Sequence, residues 1–294
     1  MKEYTKLPQL LKWVGNKQRF ANEIISYMPQ KINNYYEPFL GSAAVLGSLA
    51  FENYSELIPR VNFENLIGTD VLSPLIEIFN YVKHDPETLI NSYDNWNKKF
   101  ELNRIDTYEE VREKFNRERD ALDFMFLTRS AYSGIIRFRK SDGYMSTPIG
   151  PHTPISTDNF RDRVDIWNKI LTNVSTEFLT QDYRETMSRA GENDLIYCDP
   201  PYTHSQGILY GAQSFNIEEL WETIALCKSR GAKVILSING KKKSGKEDIG
   251  VVPPEGLFER LEYVNVGVSM VNRLKSNGKK MDGEIVHDAL FLTY

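Results

Sequence analysis

Short apolar runs alternate with amphipathic helical segments in the first third of the chain. An apolar run at 34–39 leads through small residues into a helical segment at 43–51. A second apolar run, 66–69, ends in Asp70, and an amphipathic pattern follows at 73–83. This order of strand, helix, strand and helix predicts a parallel sheet whose strands are joined by crossover helices.

The pattern changes after residue 83. Charged, helix-forming residues fill 84–130, and Gly, Ser, Thr and Pro are frequent in the loop-like stretch 131–160. Alternation then returns, with strands predicted at 195–198, 233–238, 262–269 and 287–293 and a helix at 216–229. We therefore predict one α/β domain made of residues 1–83 and 175–294, interrupted by an inserted subdomain at 84–174.

Composition excludes several classes of protein. The chain has 294 residues, of which 41% are hydrophobic, enough for a substantial core. Charges interrupt every apolar run and the first residues lack a signal-peptide pattern, so neither a membrane span nor secretion is predicted. Cys198 and Cys227 are the only cysteines, which excludes a disulfide framework, and four scattered histidines form no zinc motif. We expect a cytoplasmic, metal-free protein.

The distribution of charge is more informative than its sum. A net charge of −4 argues mildly against nucleic acid as a partner. However, Lys and Arg cluster in three segments, 129–140, 241–246 and 271–281. Each cluster alone is more simply a solvated loop, but together they suggest one basic face.

The segment 194–202, Asp-Leu-Ile-Tyr-Cys-Asp-Pro-Pro-Tyr, carries the most specific chemistry. An apolar strand with these flanks ends at the carboxyl edge of a sheet, where open α/β folds bind their ligands. Pro200 and Pro201 have no N–H, so their carbonyls are acceptors on a stiff backbone. With Asp199 as a second acceptor and Tyr202 as a stacking face, the segment suits a planar group that carries an NH₂. From these four residues alone, a proline turn capped by Asp199 is an equally good interpretation.

The predicted first turn of the fold favours a nucleoside-like ligand. In Glu-Pro-Phe-Leu-Gly-Ser-Ala, residues 37–43, small residues would let a ligand approach the backbone. The segment lacks the GxGxxG pattern of a dinucleotide pyrophosphate site. Asp70 has the position of an acid that accepts ribose hydroxyls, although such residues more often cap a helix. A ribose acid without a phosphate cradle points to a nucleoside-like ligand such as S-adenosylmethionine.

The segment before the first predicted helix is Leu-Lys-Trp-Val-Gly-Asn-Lys, residues 11–17. A tryptophan between lysines, followed by a Gly-Asn turn, could fold over a ligand. An equally good interpretation is that Trp13 fixes this terminal segment in the core.

Taken in order, these motifs resemble those of the N6-adenine DNA methyltransferases of the DNA adenine methylase type, the D12 class. The matching motifs are Lys12-Trp13-x-Gly15-x-Lys17, Glu37-Pro38-Phe39-x-Gly41, Asp70 and Asp199-Pro200-Pro201-Tyr202, with the insertion before the last. The resemblance extends over nearly the whole chain, from about residue 8 to residue 294. It implies a Rossmann-like sheet for methyl transfer from S-adenosylmethionine. It further implies that the mainly helical insertion at 84–174 is a DNA target-recognition subdomain.

The resemblance also implies roles for individual residues. The expected catalytic residues are Asp199, Pro200, Pro201 and Tyr202. The expected cofactor contacts are Trp13, Gly15, Lys17, Glu37, Pro38, Phe39, Gly41, Ser42, Asp70, Asp182, Tyr183 and Asp199. The expected DNA contacts are Lys12, Tyr132, Ser133, Arg137, Arg139 and Lys140, together with Asn272, Arg273, Lys275, Lys279 and Lys280 of a C-terminal basic loop. Arg137 is expected to read a base, because a guanidinium can bind guanine through two hydrogen bonds, with a phosphate contact as the alternative.

Three positions depart from the family pattern. Asn16 replaces a second glycine, and we expect the turn to survive because Asn tolerates positive φ. Ala43 also replaces a glycine, and positive φ at this position would be strained. Ser133 stands where Asn is usual, which leaves a polar DNA contact there open.

We therefore expect transfer of a methyl group from S-adenosylmethionine to the exocyclic amine of an adenine flipped out of duplex DNA. An RNA adenine or a protein amide as the substrate, and a catalytically silent DNA-binding protein, are the alternatives. The expected protein is a monomer or weak dimer of bacterial, archaeal or phage origin. Whether a restriction endonuclease for the same DNA site accompanies it stays open.

Overall fold

A computed structural model describes residues 4–201, 215–242, 252–268 and 285–294. Within these ranges the strands form one sheet in the order β3-β2-β1-β4-β5-β7-β6. The strands are β1 (Asn34–Glu37), β2 (Asn65–Asp70), β3 (Ser175–Thr180), β4 (Leu195–Cys198), β5 (Lys233–Lys242), β6 (Arg260–Val268) and β7 (Ile285–Leu292). All neighbouring pairs are parallel except those of β7, which runs antiparallel to β5 and β6. The predicted α/β class, with a Rossmann-like sheet, is confirmed.

The strand order reverses between β1 and β4. From β1 the chain moves outwards through β2 to β3, and it then returns to the other side of β1 as β4. Tyr35 of β1 lies beside Leu195 of β4 in the register, and both strands point the same way. Their carboxyl ends are therefore adjacent, which is the topological switch point where open α/β sheets bind ligands.

Helices cover both faces of the sheet, which is why its central strands are apolar on both sides. The described helices are α1 (Ala21–Ser26), α2 (Ala44–Ser55), α3 (Ser73–His84), α4 (Pro86–Leu102), α5 (Arg104–Glu118), α6 (Ala121–Ser130), α7 (Thr157–Asn173), α8 (Tyr183–Ser188) and α9 (Ile217–Ser229). The sheet face with Tyr35 and Leu195 packs in one core with α1, α2, α3 and α7. The face with Tyr36 and Ile196 packs against α8 and α9. In the described part of the chain, no helix is both long and apolar enough to cross a membrane.

The predicted insertion is mainly helical and begins with capped helices. Side-chain oxygens of Asp85, Asn103 and Asp120 accept backbone N–H groups at the starts of α4, α5 and α6. The stretch predicted as a loop contains a 3₁₀ turn, Tyr132–Gly134, and a short antiparallel pairing of Phe138 with Met145. Because α7 packs against α2 and α3, one hydrophobic core continues across the predicted boundary. The division at residues 84 and 174 stays a prediction.

Strand β3 and helix α8 are elements that the apolar pattern did not identify. In β3 only Thr176 and Phe178 are buried, and the other residues are exposed or half-buried. This strand lies at the edge of the sheet, so it needs no continuous apolar run. Helix α8 has six residues, which is too short to show a helical period.

Gly47 allows α2 to approach α7. A Cβ atom at this position would lie 2.4 Å from the Trp167 ring and 2.8 Å from a methyl carbon of Leu7. We expect Gly47→Ala to lower the free energy of unfolding by roughly 1–3 kcal/mol, because the packed indole cannot move aside without strain. Urea denaturation measures this change. Gly191→Ala is the control, since a Cβ there would meet no atom within 4 Å. Equal denaturation midpoints for the two variants would contradict the packing argument.

Candidate active site

A pocket opens at the carboxyl ends of β1, β2 and β4. Its wall brings together all twelve predicted cofactor contacts: Trp13, Gly15, Lys17, Glu37, Pro38, Phe39, Gly41, Ser42, Asp70, Asp182, Tyr183 and Asp199. Pro200 and Pro201 line the same pocket. Tyr202, the fourth predicted catalytic residue, lies outside the described residues. The structure thus places segments that are distant in the sequence around one cavity, whereas the ligand roles of these residues stay predictions.

The turn between β1 and α2 is not a phosphate cradle. The amide of Leu40 donates to the carbonyl oxygen of Thr69 (2.9 Å), and the amide of Ala43 donates to the carbonyl oxygen of Leu40 (2.8 Å). The amide of Gly41 donates to Oδ2 of Asp70 (3.2 Å). A pyrophosphate loop instead aims such amides at the ligand. The missing GxGxxG pattern therefore has a structural counterpart.

Asp70 holds the first turn and faces the pocket. Besides Gly41, its carboxylate accepts the amide of Leu72 at 3.1 Å, so it is bound to backbone on both sides. Leu72, not Asp70, is the N-cap of α3. Burial raises the pKa of Asp70 to about 6, although these backbone hydrogen bonds favour the charged form. The carboxylate keeps lone pairs for a ligand hydroxyl, which fits the predicted contact with a ribose.

Positive φ angles allow this turn to pass beneath Trp13. Gly41 has φ +48°, and a Cβ atom there would lie 3.0 Å from the indole nitrogen of Trp13. Ala43 has φ 53°, so the strain expected for alanine at this position is present. We expected Asn16 to adopt a positive φ angle in its turn, and this was wrong. The positive φ angle (79°) belongs to Gly15 and not to Asn16. The Asn16 side chain instead accepts the amide of Gln18 at 2.6 Å.

Trp13 satisfies both interpretations of the N-terminal segment. It is buried, and its ring meets Phe124 of α6 edge to face with centroids 6.3 Å apart. It also lines the pocket. The same side chain therefore anchors the segment and forms part of the wall.

Three aromatic rings form the opposite end of the pocket. Phe39 stacks on Tyr183 with centroids 5.1 Å apart, and Phe215 meets Phe39 edge to face at 5.8 Å. Burial raises the pKa of Tyr183 to about 12. Its buried hydroxyl has no hydrogen-bond partner among the described residues. A buried donor beside a flat apolar surface suits a nucleobase.

A buried lysine holds the carboxylate that ends β4. Lys17 Nζ lies 2.7 Å from Oδ2 of Asp199 and 3.6 Å from Oδ2 of Asp288, which comes from β7. It also donates to the carbonyl oxygen of Gly15 (3.3 Å). Burial opposes the charge of Lys17, but the two carboxylates outweigh this effect and raise its pKa above the ordinary value. Lys17 is therefore a cation at neutral pH and acts as a donor rather than a base.

Glu37 lies behind the pocket wall at the end of β1. Its Oε2 accepts hydrogen bonds from the Tyr35 hydroxyl and the Leu46 amide, both at 2.8 Å. Burial raises the pKa of Glu37 to about 8, despite these bonds and the nearby charge of Lys17. At neutral pH the side chain is predominantly a neutral acid.

Carboxyl groups outnumber cations around the pocket. The lining acids are Glu37, Asp70, Asp182, Asp199 and Glu219, and the lining cations are Lys17 and Arg184. Both cations are engaged, since Lys17 pairs with Asp199 and Arg184 pairs with Asp182 and Glu219 at 2.8 Å. Such a lining favours a cationic, phosphate-free ligand, and S-adenosylmethionine with its sulfonium and amine fits this donor set.

Two of the segments predicted to contact DNA lie together, one from the N-terminal segment and one from the insertion. A Cβ atom at Gly134 would lie 2.6 Å from Cβ of Lys12, so the turn at 132–134 packs directly on the N-terminal segment. Tyr132 is 41% exposed in this turn. Ser133 adopts φ 55°, a conformation that Asn reaches with less strain, which explains why the family favours Asn there.

A short hairpin carries the predicted arginines. The carbonyl of Arg137 accepts the amide of Ser146 at 2.9 Å, and the amide of Arg139 donates to the Tyr144 carbonyl at 2.8 Å. The side chain of Arg137 is exposed. That of Arg139 pairs with Asp142 (2.7 Å) and lies over the Tyr144 ring. Lys140 is exposed near the tip, whereas Asn272, Arg273, Lys275, Lys279 and Lys280 lie outside the described residues.

Arg129 does not belong to a basic face, contrary to the interpretation of the 129–140 cluster. It is 3% exposed, and its guanidinium donates to the carbonyl oxygens of Gln9 (2.7 Å) and Leu10 (2.9 Å). Burial lowers its pKa to about 10. Arg129 therefore binds the N-terminal segment to the insertion. The clusters at 241–246 and 271–281 are not tested, because residues 243–251 and 269–284 are outside the described ranges.

Sequence reasoning missed several residues of the site, among them Arg184, Phe215, Glu219 and Asp288. Asp288 interrupts the apolar strand Ile-Val-His-Asp-Ala-Leu-Phe-Leu, and a charged residue within such a strand was the available signal. Phe215 gave no signal, since it lies between segments and joins the pocket only through the fold.

A Rossmann-like sheet with an acidic, aromatic-lined pocket at its switch point fits the class of S-adenosylmethionine-dependent methyltransferases. The family model described as "D12 class N6 adenine-specific DNA methyltransferase" matches residues 13–249, and the chain belongs to that family. It is therefore an adenine-specific DNA methyltransferase. The family uses S-adenosylmethionine as the methyl donor, acts on DNA and flips its target base.

Relatives with related names match most of the chain. A DNA adenine methylase of Vibrio cholerae serotype O1 is 27% identical over 244 residues, covering 77% of this chain and 79% of the relative. A type II methyltransferase of Lactococcus lactis, M1.LlaDCHI, is 25% identical over 291 residues, covering 94% and 93%. A DNA N-6-adenine-methyltransferase of Escherichia phage P1 is 26% identical over 247 residues, covering 79% of this chain and 30% of the relative.

The protonation of Glu37 predicts a pH-dependent stability. The folded state keeps the proton up to about pH 8, whereas an unfolded glutamate loses it near its ordinary pKa of 4.5. Because the folded state binds more protons in this window, stability falls as pH rises, by at most about 1.4 kcal/mol per pH unit. Glu37→Gln mimics the neutral acid and removes this contribution. Urea titrations at pH 5 to 9 should show wild type losing stability relative to Glu37→Gln as pH rises; parallel curves would refute the assignment.

Proposed function

We propose that Asp199 and the carbonyl of Pro200 accept the two N6 hydrogens of a flipped adenine at a specific site in duplex DNA. The ion pair between Lys17 and Asp199 supports this proposal most directly. It fixes one carboxylate oxygen of Asp199 at the wall of the pocket, beside the two prolines. The carboxylate is thereby held in a defined place, where its lone pairs can accept an amine hydrogen.

These acceptors address the chemical difficulty of the reaction. Adenine N6 is a weak nucleophile because its lone pair is delocalised into the ring. Two acceptors that draw its hydrogens out of the ring plane return the lone pair to nitrogen, and they stabilise the positive charge that develops there. When bound, S-adenosylmethionine would supply an electrophilic methyl group through cleavage of its sulfonium–methyl bond and would leave as S-adenosylhomocysteine. The methylated nitrogen would then lose its extra proton to Asp199 or to solvent. The proposed reaction therefore needs neither a metal nor a covalent enzyme intermediate.

The remaining pocket residues would hold the cofactor. Asp70 would accept ribose hydroxyls, and the aromatic group of Phe39 and Tyr183 would bind the adenine ring, with Asp182 at its edge. Trp13 and the 41–42 turn would enclose the rest. Placement of both reactants in one dry site supplies much of the rate enhancement in such reactions.

DNA would be held on the side of the insertion. Lys12, the 132–134 turn and the hairpin with Arg137, Arg139 and Lys140 would contact the duplex. The C-terminal basic loop, 272–280, would bind phosphates. Tyr202 would stack on the flipped base.

The biological setting is a further proposal. The relative from Lactococcus is named a type II methyltransferase, which supports a restriction endonuclease for the same site as a partner. We propose that the protein is a monomer or weak dimer. We also propose that it acts in the cytoplasm, where its DNA substrate is found and where the free cysteines Cys198 and Cys227 would stay reduced.

Removing the Asp199 carboxylate tests the catalytic assignment. We expect Asp199→Ala to lower methyl transfer to duplex DNA by about a thousandfold or more, because an acceptor for the developing charge is lost. Transfer of labelled methyl groups measures activity. Calorimetry with S-adenosylhomocysteine and a DNA-binding assay should give affinities near wild type. An active Asp199→Ala enzyme would refute the assignment.

Removing the Arg137 side chain tests its role in reading a base. The side chain of Arg137 is exposed, and within the described part of the chain its guanidinium has no ion-pair partner, so the substitution breaks no ion pair there. We expect Arg137→Ala to cost about 1–3 kcal/mol of discrimination at one base pair, measured by methylation of single-substitution DNA sites. Arg161→Ala is the control, since Arg161 pairs with Glu87 on the surface of the insertion. Equal weakening at every site by Arg137→Ala would reassign Arg137 to a phosphate.

A further inference from the structure

Asp199 belongs to a buried cluster of three charges. Lys17 Nζ lies 2.7 Å from the Asp199 carboxylate and 3.6 Å from that of Asp288, with 6%, 19% and 6% of the side chains of Lys17, Asp199 and Asp288 exposed. The N-terminal segment supplies Lys17, the end of β4 supplies Asp199, and β7 supplies Asp288. Asp288 is not among the residues that line the pocket, and its contact with Lys17 links it to Asp199.

We propose that Asp288 is a positioning residue for methyl transfer: it balances Lys17, so that Lys17 fixes Asp199 without cancelling its negative charge. The inference rests on the proposed role of Asp199 as the acceptor for adenine N6. It adds to the catalytic apparatus a residue of β7, which is separated from β4 by one strand of the sheet.

The charges of the cluster explain why a second carboxylate is needed. A lone ion pair between Lys17 and Asp199 would carry no net charge, and its acceptor oxygen would attract a developing cation weakly. With Asp288 the three groups carry a net charge of −1, at short range and largely out of water, where electrostatic interactions are strong. That charge complements the positive charge that develops on N6.

The surrounding groups do not supply this charge. Glu37, the nearest other acid, is predominantly protonated at neutral pH because burial raises its pKa to about 8. Tyr197 of β4 also faces Lys17, but a phenol is neutral at this pH. Burial and the nearby Asp199 raise the pKa of Asp288, whereas Lys17 lowers it. The pairing with Lys17 at 3.6 Å is therefore the interaction that favours the charged form of Asp288.

A double-mutant cycle tests whether Asp288 acts through Lys17. Asp288→Asn removes the charge and keeps the shape, and we expect kcat for DNA methylation to fall about tenfold or more. Lys17→Met should lower kcat further, because it leaves two buried carboxylates without a cation. Adding Asp288→Asn to Lys17→Met should then restore kcat or leave it unchanged, since the repulsion between the carboxylates disappears.

Binding of S-adenosylhomocysteine separates catalysis from folding. Its sulfur is neutral, so its affinity reports on the shape of the pocket, and Asp288→Asn should bind it as wild type does. Asp194→Asn is the matched control: Asp194 is also 5% exposed, but it accepts the amides of Asn34 and Gly191 at the opposite end of β4. It should retain wild-type kcat even where its melting temperature falls.

Two results would overturn the inference. Wild-type kcat in Asp288→Asn would show that the charge is not used. The second result is additivity: Asp288→Asn would lower kcat by the same factor in the Lys17→Met background as in wild type. This would show that the two residues act independently. Either result together with an inactive Asp199→Ala would leave the proposed function intact, whereas an active Asp199→Ala would remove both.

Discussion

The ion pair between Lys17 and Asp199 joins the two halves of the site. Lys17 comes from the N-terminal segment and Asp199 from the end of β4, and their contact at 2.7 Å closes the pocket at the switch point of the sheet. A buried ion pair is costly to form and more costly to break, because the loss of either partner leaves the buried charge of the other less well compensated. The position of Asp199, the proposed acceptor for adenine N6, therefore depends on the position of the N-terminal segment.

The insertion holds that segment in place. Arg129 and Trp167 donate to the backbone carbonyls of Leu10 and Pro8, and Arg163 also reaches Gln9. Gly134 packs on Lys12. The part of the chain that carries the predicted DNA contacts is thus in direct contact with the segment that continues to Trp13 and Lys17. The predicted DNA contacts and the pocket therefore share one short stretch of backbone.

Much of this arrangement could be predicted from the sequence. Parallel strands place their ends at one edge, so the motifs at 37–43 and 199–201 had to meet once the strands were identified. The family assignment then decides for an enzyme that acts on DNA, over the RNA, protein and non-catalytic alternatives. Two features of the site depend on packing and could not be predicted. One is which arginine of the 129–140 cluster points inwards, and the other is the contact of Asp288 on β7 with Lys17. The hydrophobic pattern also could not reveal β3, because half of an edge strand is solvated. It could not show either which residue of the Gly15-Asn16 turn has a positive φ angle.

A structure of the ternary complex with duplex DNA and an unreactive analogue of S-adenosylmethionine tests the central claim most directly. The account predicts the flipped adenine with N6 within hydrogen-bond distance of a carboxylate oxygen of Asp199 and of the Pro200 carbonyl, while Lys17 still holds the other Asp199 oxygen. An adenine whose N6 points away from Asp199, or a Lys17 that has left Asp199 to bind the cofactor, would contradict it.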